Sequence, residues 1–316
     1  MNSSTEETLL QAIAAHPADA TAWLALADCL EEQGRLQQAE LVRLREWLRF
    51  AALDDPLRRK RERQLCALLA KGVLPVVPRR CIDLPGGATL DMVLIPPGTF
   101  WMGDEDDREA GDDKPRHQVT LTRGFWMSAT LITQRQWRSV NARNPSQWRG
   151  DDLPVEQVNW DKATLFCSRL KTRTRVSFRL PSEAEWEYAC RATTTTPYHF
   201  GPTVTSAVVN FDGRYPAYGA KRSEFRNQTT PVGQFPPNAW GLYDMHGNLD
   251  EWCLDGQRVY SAGPVVDPRG SLRGSRGIRG GSWHSLGATC HASCRAFEER
   301  DLREDTIGFR VVSPLL

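Results

Sequence analysis

The sequence lacks the features of several protein classes. Its eight cysteines include no Cys-x-x-Cys pair, so neither a zinc ribbon nor a dense disulfide scaffold is indicated. No apolar run is long enough to cross a bilayer, and the polar, acidic N-terminus has no signal-peptide core. A large charge of one sign is also missing, because the formal net charge is +1. We therefore expect a cytoplasmic protein with reduced thiols that binds neither nucleic acid nor a membrane.

The composition is that of an ordinary globular protein with one unusual component. Of 316 residues, 40% are hydrophobic and 25% are charged, which suits one large domain and a smaller one. The eleven tryptophans are more than usual. They predict a core built from large aromatic side chains rather than from helical layers of leucine.

Residues 1–71 have the apolar spacing of helices. Trp23, Leu26 and Leu30 give one buried face, and Gly34 ends it. Further helices are predicted over 36–52 and 56–71. The stretch 17–40 resembles one tetratricopeptide-type hairpin, and also the short helical module of some bacterial multidomain proteins. One hairpin cannot form a solenoid, so two interpretations stay open: a helical cap on the main domain, or a module that docks into a larger assembly.

The remainder has the character of a mixed domain rich in loops. We predict a Pro/Gly-rich linker over 72–89 and a domain over 90–316. Ser182 followed by Glu185 indicates a capping box at a helix start. The other predicted helices are 133–140 and 161–172, and the predicted strands are 92–103 (two strands with a turn), 117–121, 154–160 and 307–312. Loops are predicted over 104–113, which is acidic, and over 193–232 and 254–278.

The most distinctive stretch is the aromatic, turn-rich segment 236–253. Asp244 and Glu251 lie in it with backbone carbonyl groups between them. Hard cations such as calcium prefer this mixture of carboxylate and carbonyl oxygens. The alternative is a structural loop in which the two acids cap turns.

Five ordered motifs carry a family resemblance. They are 95–103 (IPPGTFWMG), 179–187 (RLPSEAEWE), 240–248 (WGLYDMHGN), 279–283 (RGGSW) and 308–310 (GFR). With them, residues 90–314 resemble the formylglycine-generating-enzyme, or sulfatase-modifying-factor, family. The resemblance implies an α+β fold, a variant of the C-type lectin fold with small antiparallel sheets and much loop.

The resemblance also implies two structural calcium sites. One falls on Asp244, the backbone of Gly247 and Leu249, and Glu251. The other would use Asn210 and Glu224 with the backbone of Phe211 and Arg226. Both sets offer the oxygen ligands that calcium prefers.

The copper site of the family's enzymes is changed in this sequence. Those enzymes convert a sulfatase cysteine to formylglycine with oxygen and a copper ion held by two cysteines. The second cysteine matches Cys290, but the first falls on Ser285, and Asp250 replaces a tryptophan. Copper(I) prefers soft thiolates, so a hydroxyl is no adequate substitute. Copper and oxidase activity are therefore the alternative to our main interpretation.

Two further branches of the fold offer other functions. One pairs the domain with an iron-binding helical bundle that needs three histidines, but residues 1–71 contain only His16. In the other, the variable proteins of diversity-generating retroelements bind ligands through residues after the Arg-Gly-Gly-Ser-Trp motif. All residue types over 284–297 can be encoded by codons ending in C, which is consistent with such diversification and equally with a degenerated enzyme loop.

We therefore predict a ligand-binding face, most simply for a protein ligand, supported by a stiff scaffold. It would comprise loop 282–297 with the neighbouring segment 250–262. Its predicted contact residues are Asp250, Ser282, His284, Ser285, Leu286, Thr289, Cys290, His291 and Phe297.

Overall fold

Four helices form the N-terminal part of the chain, as the apolar spacing predicts. The structure, a computed structural model, describes residues 2–105 and 112–315. The four helices are α1 Asn2–Ala15, α2 Ala20–Glu32, α3 Leu36–Phe50 and α4 Arg58–Ala70. Asp19 caps α2 by accepting a hydrogen bond of 2.8 Å from the Thr21 amide.

Short strands and three further helices make up the rest. The helices are α5 Gln134–Val140, α6 Trp160–Thr174 and α7 Glu183–Arg191. The strands are β1 Arg79–Asp83, β2 Thr89–Ile95, β3 Gly98–Met102, β4 His117–Leu121, β5 Phe125–Ser128, β6 Asp250–Trp252, β7 Val265–Val266, β8 Arg276–Arg279, β9 Arg295–Glu298, β10 Ile307–Gly308 and β11 Val312–Pro314. None of the described helices has the length and apolar character needed to span a bilayer.

The strands form three small sheets. An antiparallel sheet has the order β1-β2-β5-β11. The second has the order β10-β6-β8-β9, in which only β10 and β6 are parallel. The third has the order β3-β4-β7. Small sheets, seven described helices and long loops together confirm the predicted α+β fold class.

The predicted linker 72–89 is not a free connection in the structure. It contains β1, which pairs in register with β2 from Arg79 opposite Val93 to Asp83 opposite Thr89. Ile82 in this strand is buried. The prolines and glycines on either side of the strand suggested a linker, whereas the strand itself completes the first sheet. Of the predicted acidic loop 104–113, residues 106–111 lie outside the described part of the chain.

One strand prediction was wrong, and another was right only at its two ends. The segment 154–160 sends its backbone amides to three separate places: Val155 to Ile132, Gln157 to Glu304 and Trp160 to Arg300. A segment with scattered partners cannot form a ladder. The predicted strand 307–312 is a strand at Ile307–Gly308 (β10) and again from Val312 (β11), and these two strands belong to different sheets.

The predicted capping box is confirmed at α7. The Ser182 hydroxyl accepts from the Glu185 amide at 3.2 Å, and the Glu185 carboxylate accepts from the Ser182 amide at 2.8 Å. Arg179 also donates to both Glu185 oxygens at 2.6 Å. The start of α7 is therefore fixed, and this helix supplies the glutamates around which the candidate site is built.

The helical module packs onto the larger domain through a buried arginine. Arg45 of α3 has no exposed surface. Its guanidinium lies 4.3 Å from the Trp23 ring centroid and 5.1 Å from that of Trp240, and it donates to the Ala239 carbonyl at 3.3 Å. Since Trp240 belongs to the loop-rich domain, Arg45 joins the two parts of the chain.

We expect Arg45→Ala to lower the free energy of unfolding by roughly 3 kcal/mol, as removal of one member of a buried charged network does. Arg43→Ala is the matched control on the same helix, because Arg43 makes half-exposed ion pairs with Asp28 and Glu31. Such pairs contribute about 1 kcal/mol or less. Urea unfolding measures both variants, and equal losses would contradict the docking role.

The buried carboxyl group of Glu156 contacts the segment 146–148. Glu156 has no exposed surface and accepts from the Trp148 amide at 3.1 Å. Its second oxygen, Oε2, has no hydrogen-bond partner in the described part of the chain. Burial raises the pKa of Glu156 to about 7 from an ordinary value of 4.5.

Because the folded state binds the proton of Glu156 more tightly than the unfolded state does, stability falls as pH rises from about 4.5 to about 7. Glu156→Gln keeps the shape of the neutral acid. We expect this variant to be up to about 3 kcal/mol more stable than wild type at pH 8, and equal to it at pH 4. Unfolding midpoints across this range test the effect, and a difference independent of pH would contradict it.

Candidate functional site

The backbone of the predicted ligand-binding loop is held by one buried arginine. Arg279, at the end of β8, is 1% exposed. It donates to the carbonyl oxygens of Ala292, Ser293 and Cys294 at 3.1–3.2 Å. It also ion-pairs with Glu183 and Glu187 of α7 at 3.1 and 3.0 Å. The loop is therefore tied to a capped helix through a single guanidinium.

The neutral side chain of His246 also holds loop 282–297, through the backbone of Cys290. His246 bonds through Nδ1 to the Cys290 carbonyl at 2.7 Å, and its Nε2 accepts from the His199 amide at 3.2 Å. Burial lowers the pKa of His246 to about 3. With both ring nitrogens satisfied in the neutral form, His246 has a structural role.

The first predicted calcium set is arranged around an ion pair. Both carboxylate oxygens of Glu251 accept from the Arg310 guanidinium, at 2.6 and 2.7 Å, and one also accepts from Trp186 Nε1 at 2.8 Å. Asp244 Oδ2 accepts from the Gly233 amide at 2.8 Å, and burial raises the pKa of Asp244 to about 6. Because Arg310 already neutralises Glu251, this set does not fit a calcium ion in the observed arrangement.

Gly247 and Leu249 have structural reasons for their positions. Gly247 has φ +73°, and a Cβ there would collide with the Asn210 carbonyl oxygen, so the close approach of two backbones needs glycine. Leu249 is fully buried with Leu131 and Trp283 in a small hydrophobic cluster. This segment therefore supports the loop that follows the Arg-Gly-Gly-Ser-Trp motif.

The second predicted calcium set retains a free oxygen. Asn210 is fully buried, and its amide nitrogen donates to Gln228 and Asn248. Its oxygen Oδ1 has no partner among the described residues. Glu224 is largely exposed and pairs with Arg226 at 3.0 Å, and Phe211 is buried beside Asn210. An unpartnered buried amide oxygen is a ligand that calcium accepts. Glu224, like Glu251, is already paired with an arginine, so the free Asn210 oxygen is the feature that distinguishes this set from the first.

The predicted copper pair does not have the donor chemistry for copper(I). Ser285 Oγ accepts from the Ser282 amide at 2.9 Å and lies 3.1 Å from Ser282 Oγ. Cys290 has no exposed surface, and burial raises the pKa of its thiol. A Cβ on Gly281 would come within 2.6 Å of the Cys290 sulfur. One hydroxyl and one protonated, enclosed thiol do not match the two thiolates that copper(I) requires.

The structure restricts the predicted ligand-binding face to fewer residues. Three of the predicted contacts have exposed side chains: His284, Leu286 and Thr289. Three others are buried, namely Ser282, Cys290 and His291. Asp250, Ser285 and Phe297 are half-buried. Asp250 accepts from the Gly281 amide at 3.0 Å, and Arg295 stacks over Phe297 at 4.5 Å. A partner could therefore reach the first three side chains most directly.

An aromatic platform beside this face was missed in the sequence. The Phe225 and Trp283 rings stack with centroids 6.3 Å apart, and His284 meets the Trp283 ring edge-on at 5.3 Å. Arg214 lies 4.1 Å from the Phe225 centroid, and Trp148 approaches Trp283 at 6.3 Å. These residues come from three separate loops, so only the Trp283 motif could have pointed to them. The platform extends the face beyond the predicted loop.

Comparison with known proteins agrees with this architecture. The sequence model of the sulfatase-modifying factor enzyme 1-like domain matches residues 85–315, and a tetratricopeptide repeat model matches residues 8–40. The formylglycine-generating enzyme of Bos taurus is 30% identical over 203 residues, covering 61% of this chain and 52% of that protein. The serine/threonine-protein kinase pkn1 of Chlamydia caviae is 36% identical over 252 residues, 70% of this chain and 37% of that protein.

Solved structures share the fold. Treponema denticola variable protein 1 superposes with a TM-score of 0.63 at 24% identity, over 75% of this chain and 99% of that one. PvdO from Pseudomonas aeruginosa superposes with a TM-score of 0.59 at 25% identity, over 74% and 98%. The chain spans about half the length of the mouse and cattle formylglycine-generating enzymes that it matches. By the match over 85–315, the chain belongs to the sulfatase-modifying factor enzyme 1-like domain family.

Proposed function

We propose that this chain is a binding module in which a protein ligand docks on the exposed part of loop 282–297, and that it does not form formylglycine. One observation carries the proposal. His284, Leu286 and Thr289 are exposed on a loop whose backbone is fixed by Arg279 and His246. A rigid backbone with outward side chains loses little conformational entropy on binding.

The aromatic platform supports a protein as the ligand. His284 and Arg214 are exposed beside the half-buried Phe225 ring, and Trp283, which is 7% exposed, supports them from inside. Aromatic and arginine side chains are enriched at the centres of protein interfaces, where they supply most of the binding energy. The helical module would then connect the binding domain to a larger assembly, since Leu36 and Phe50 of α3 remain 61% and 57% exposed.

Binding through this face is tested with a pair of matched leucine variants. Leu286 is 48% exposed in the loop, and Leu165 is 47% exposed on α6. Proteins captured by the full chain from the source cells are compared for wild type, Leu286→Ala and Leu165→Ala. We expect the loop variant to lose a captured protein that the α6 variant retains. Identical protein sets in all three would refute the proposed face.

The oxidase alternative follows from the curated relatives, several of which are formylglycine-generating enzymes. It is tested by incubating copper-loaded wild type with a cysteine-containing sulfatase peptide and oxygen. We expect the peptide mass to stay unchanged, because Ser285 supplies no thiolate. Conversion of the cysteine to an aldehyde, detected by mass spectrometry, would establish the enzyme and overturn our proposal.

We propose that calcium, as a structural ion, binds the set around Asn210 rather than the set around Glu251. A ligand that binds only the folded state stabilises it by about 2.7 kcal/mol at a hundred times its Kd. Calcium should therefore raise the melting temperature of stripped wild type, and Asn210→Ala should remove that increase. Asp244→Asn should retain it. The reverse pattern would assign calcium to the first set, and no increase in wild type would remove both.

A further inference from the structure

We propose that one chloride ion binds between the helical module and the loop-rich domain, in a small buried cavity beside Tyr188. The cavity has a volume of about 10 Å³ and is lined by three parts of the chain. Arg49 and Arg58 come from α3 and α4, residues 99–101 from β3, and Tyr188 and Thr193 from α7 and the turn that follows it. This cavity is separate from both predicted calcium sets and from the copper pair.

Two buried hydroxyl groups line the cavity. Tyr188 is 2% exposed and Thr193 is 8% exposed. Neither Tyr188 OH nor Thr193 Oγ1 makes a hydrogen bond within the described part of the chain. Burial raises the pKa of Tyr188, so its hydroxyl stays protonated at neutral pH and needs an acceptor. Two such groups in one cavity indicate an occupant that accepts hydrogen bonds from both.

The charges around the cavity favour an anion as that occupant. Among the described residues, the lining contains three arginines, Arg49, Arg58 and Arg191, and no acidic side chain. Of the charges that act on the Tyr188 hydroxyl, that of Arg49 has a larger effect than that of Glu46. A negative charge placed beside this hydroxyl would therefore lie in a positive field.

The buried ion pairs of the helical module leave a positive excess next to the cavity. Among the described residues, three buried guanidinium groups of α3 and α4 share two buried carboxylates. They are Arg45, Arg49 and Arg58 with Glu46 and Glu62. A buried charge is unfavourable without a counter-charge. A water molecule would satisfy the two hydroxyl groups and leave this excess in place, whereas an anion would offset it as well.

The size of the cavity selects the ion. A volume of about 10 Å³ admits one water-sized species. Sulfate, phosphate and organic carboxylates need more room than this. Chloride is a single atom of about the size of a water molecule, and it accepts hydrogen bonds from hydroxyl and guanidinium groups alike. Chloride is therefore the anion that fits the cavity.

The ion would strengthen the contact between α4 and the larger domain. Arg58 Nη2 donates to the Thr193 carbonyl at 3.2 Å. Thr195 Oγ1 donates to the Glu62 carboxylate at 2.9 Å. Residues 193–195 therefore already hold the helical module, and an ion beside Thr193 would add a further link. Docking of the module would then depend on the chloride concentration.

The test measures chloride binding by the full chain. Protein freed of halide by dialysis against sodium gluconate is titrated with sodium chloride at constant ionic strength. Melting temperatures are recorded for wild type, Tyr188→Phe and Thr193→Val, which remove one hydroxyl each and nearly keep the side-chain shape. Thr229→Val is the matched control, because Thr229 is buried, its Oγ1 makes no hydrogen bond within the described residues, and it lies outside the cavity. Crystals soaked in sodium bromide locate the ion by anomalous scattering.

We expect chloride at ten times its Kd to raise the melting temperature of wild type and of Thr229→Val by roughly 3 °C, with saturation. Tyr188→Phe and Thr193→Val should bind chloride about tenfold more weakly, because each removes a hydrogen bond to a charged group. Melting curves without chloride identify a variant that fails to fold, and the other variant then decides. Bromide should scatter from the cavity beside Tyr188.

Three results would overturn the site. They are no chloride-dependent rise in wild type, an equal rise in all four proteins, and bromide found at surface positions only, which would mean an adventitious ion only. Because melting and anomalous scattering do not involve a protein partner, the outcome is independent of the proposed binding function.

Discussion

The candidate site depends on buried ion pairs between arginine and glutamate side chains. Arg279 makes hydrogen bonds with two buried glutamates of α7 and with three backbone carbonyl groups of the following loop. Burial alone would raise the pKa of Glu187, but Arg191 and Arg279 hold it below its ordinary value. A buried pair of this kind is costly to break, since removing one member leaves the other charge unpaired. Few regular strands are therefore needed to order this part of the domain.

A second buried ion pair, between Arg310 and Glu251, orders the segment that contains Glu251. Arg310 joins the end of the chain to Glu251 and also donates to the carbonyl groups of Ser128 and Tyr243. The two arginines thus connect β8, the Glu251 segment and the C-terminal strand to one core. In this part of the domain, hydrogen bonds from side chains to the backbone hold the loops in the way that sheet hydrogen bonds usually do. The exposed side chains of such loops can then differ while the backbone conformation stays the same.

Local signals in the sequence were sufficient for the fold and insufficient for the site. Each of the signals that predicted the fold spans only a few consecutive residues. They are the capping box at Ser182, the helical faces before residue 71 and the five motifs. The failed strand over 154–160 shows the limit, because its amides bond to residues as distant as Glu304. The Glu251–Arg310 pair, the aromatic platform and the cavity beside Tyr188 each join separate parts of the chain. Composition and spacing contain no signal for such contacts.

Function in this fold is determined by which side chains the ordered loops present. The Arg-Gly-Gly-Ser-Trp motif lies on the arginine network, and Ser285 supplies a hydroxyl where the family resemblance implies a copper-binding thiol. The account therefore requires that loop 282–294 be rigid although it contains only a short 3-10 turn, Gly287–Cys290.

Amide hydrogen exchange of the full chain tests that requirement most directly. The amides of Gly287, Ala292 and Cys294 each donate to a backbone carbonyl, and Arg279 fixes the carbonyl groups at 292–294. We predict slow exchange at these amides, comparable to that of α7, and loss of their protection in Arg279→Lys while α2 stays protected. Exchange in wild type as fast as in an exposed loop would contradict the account.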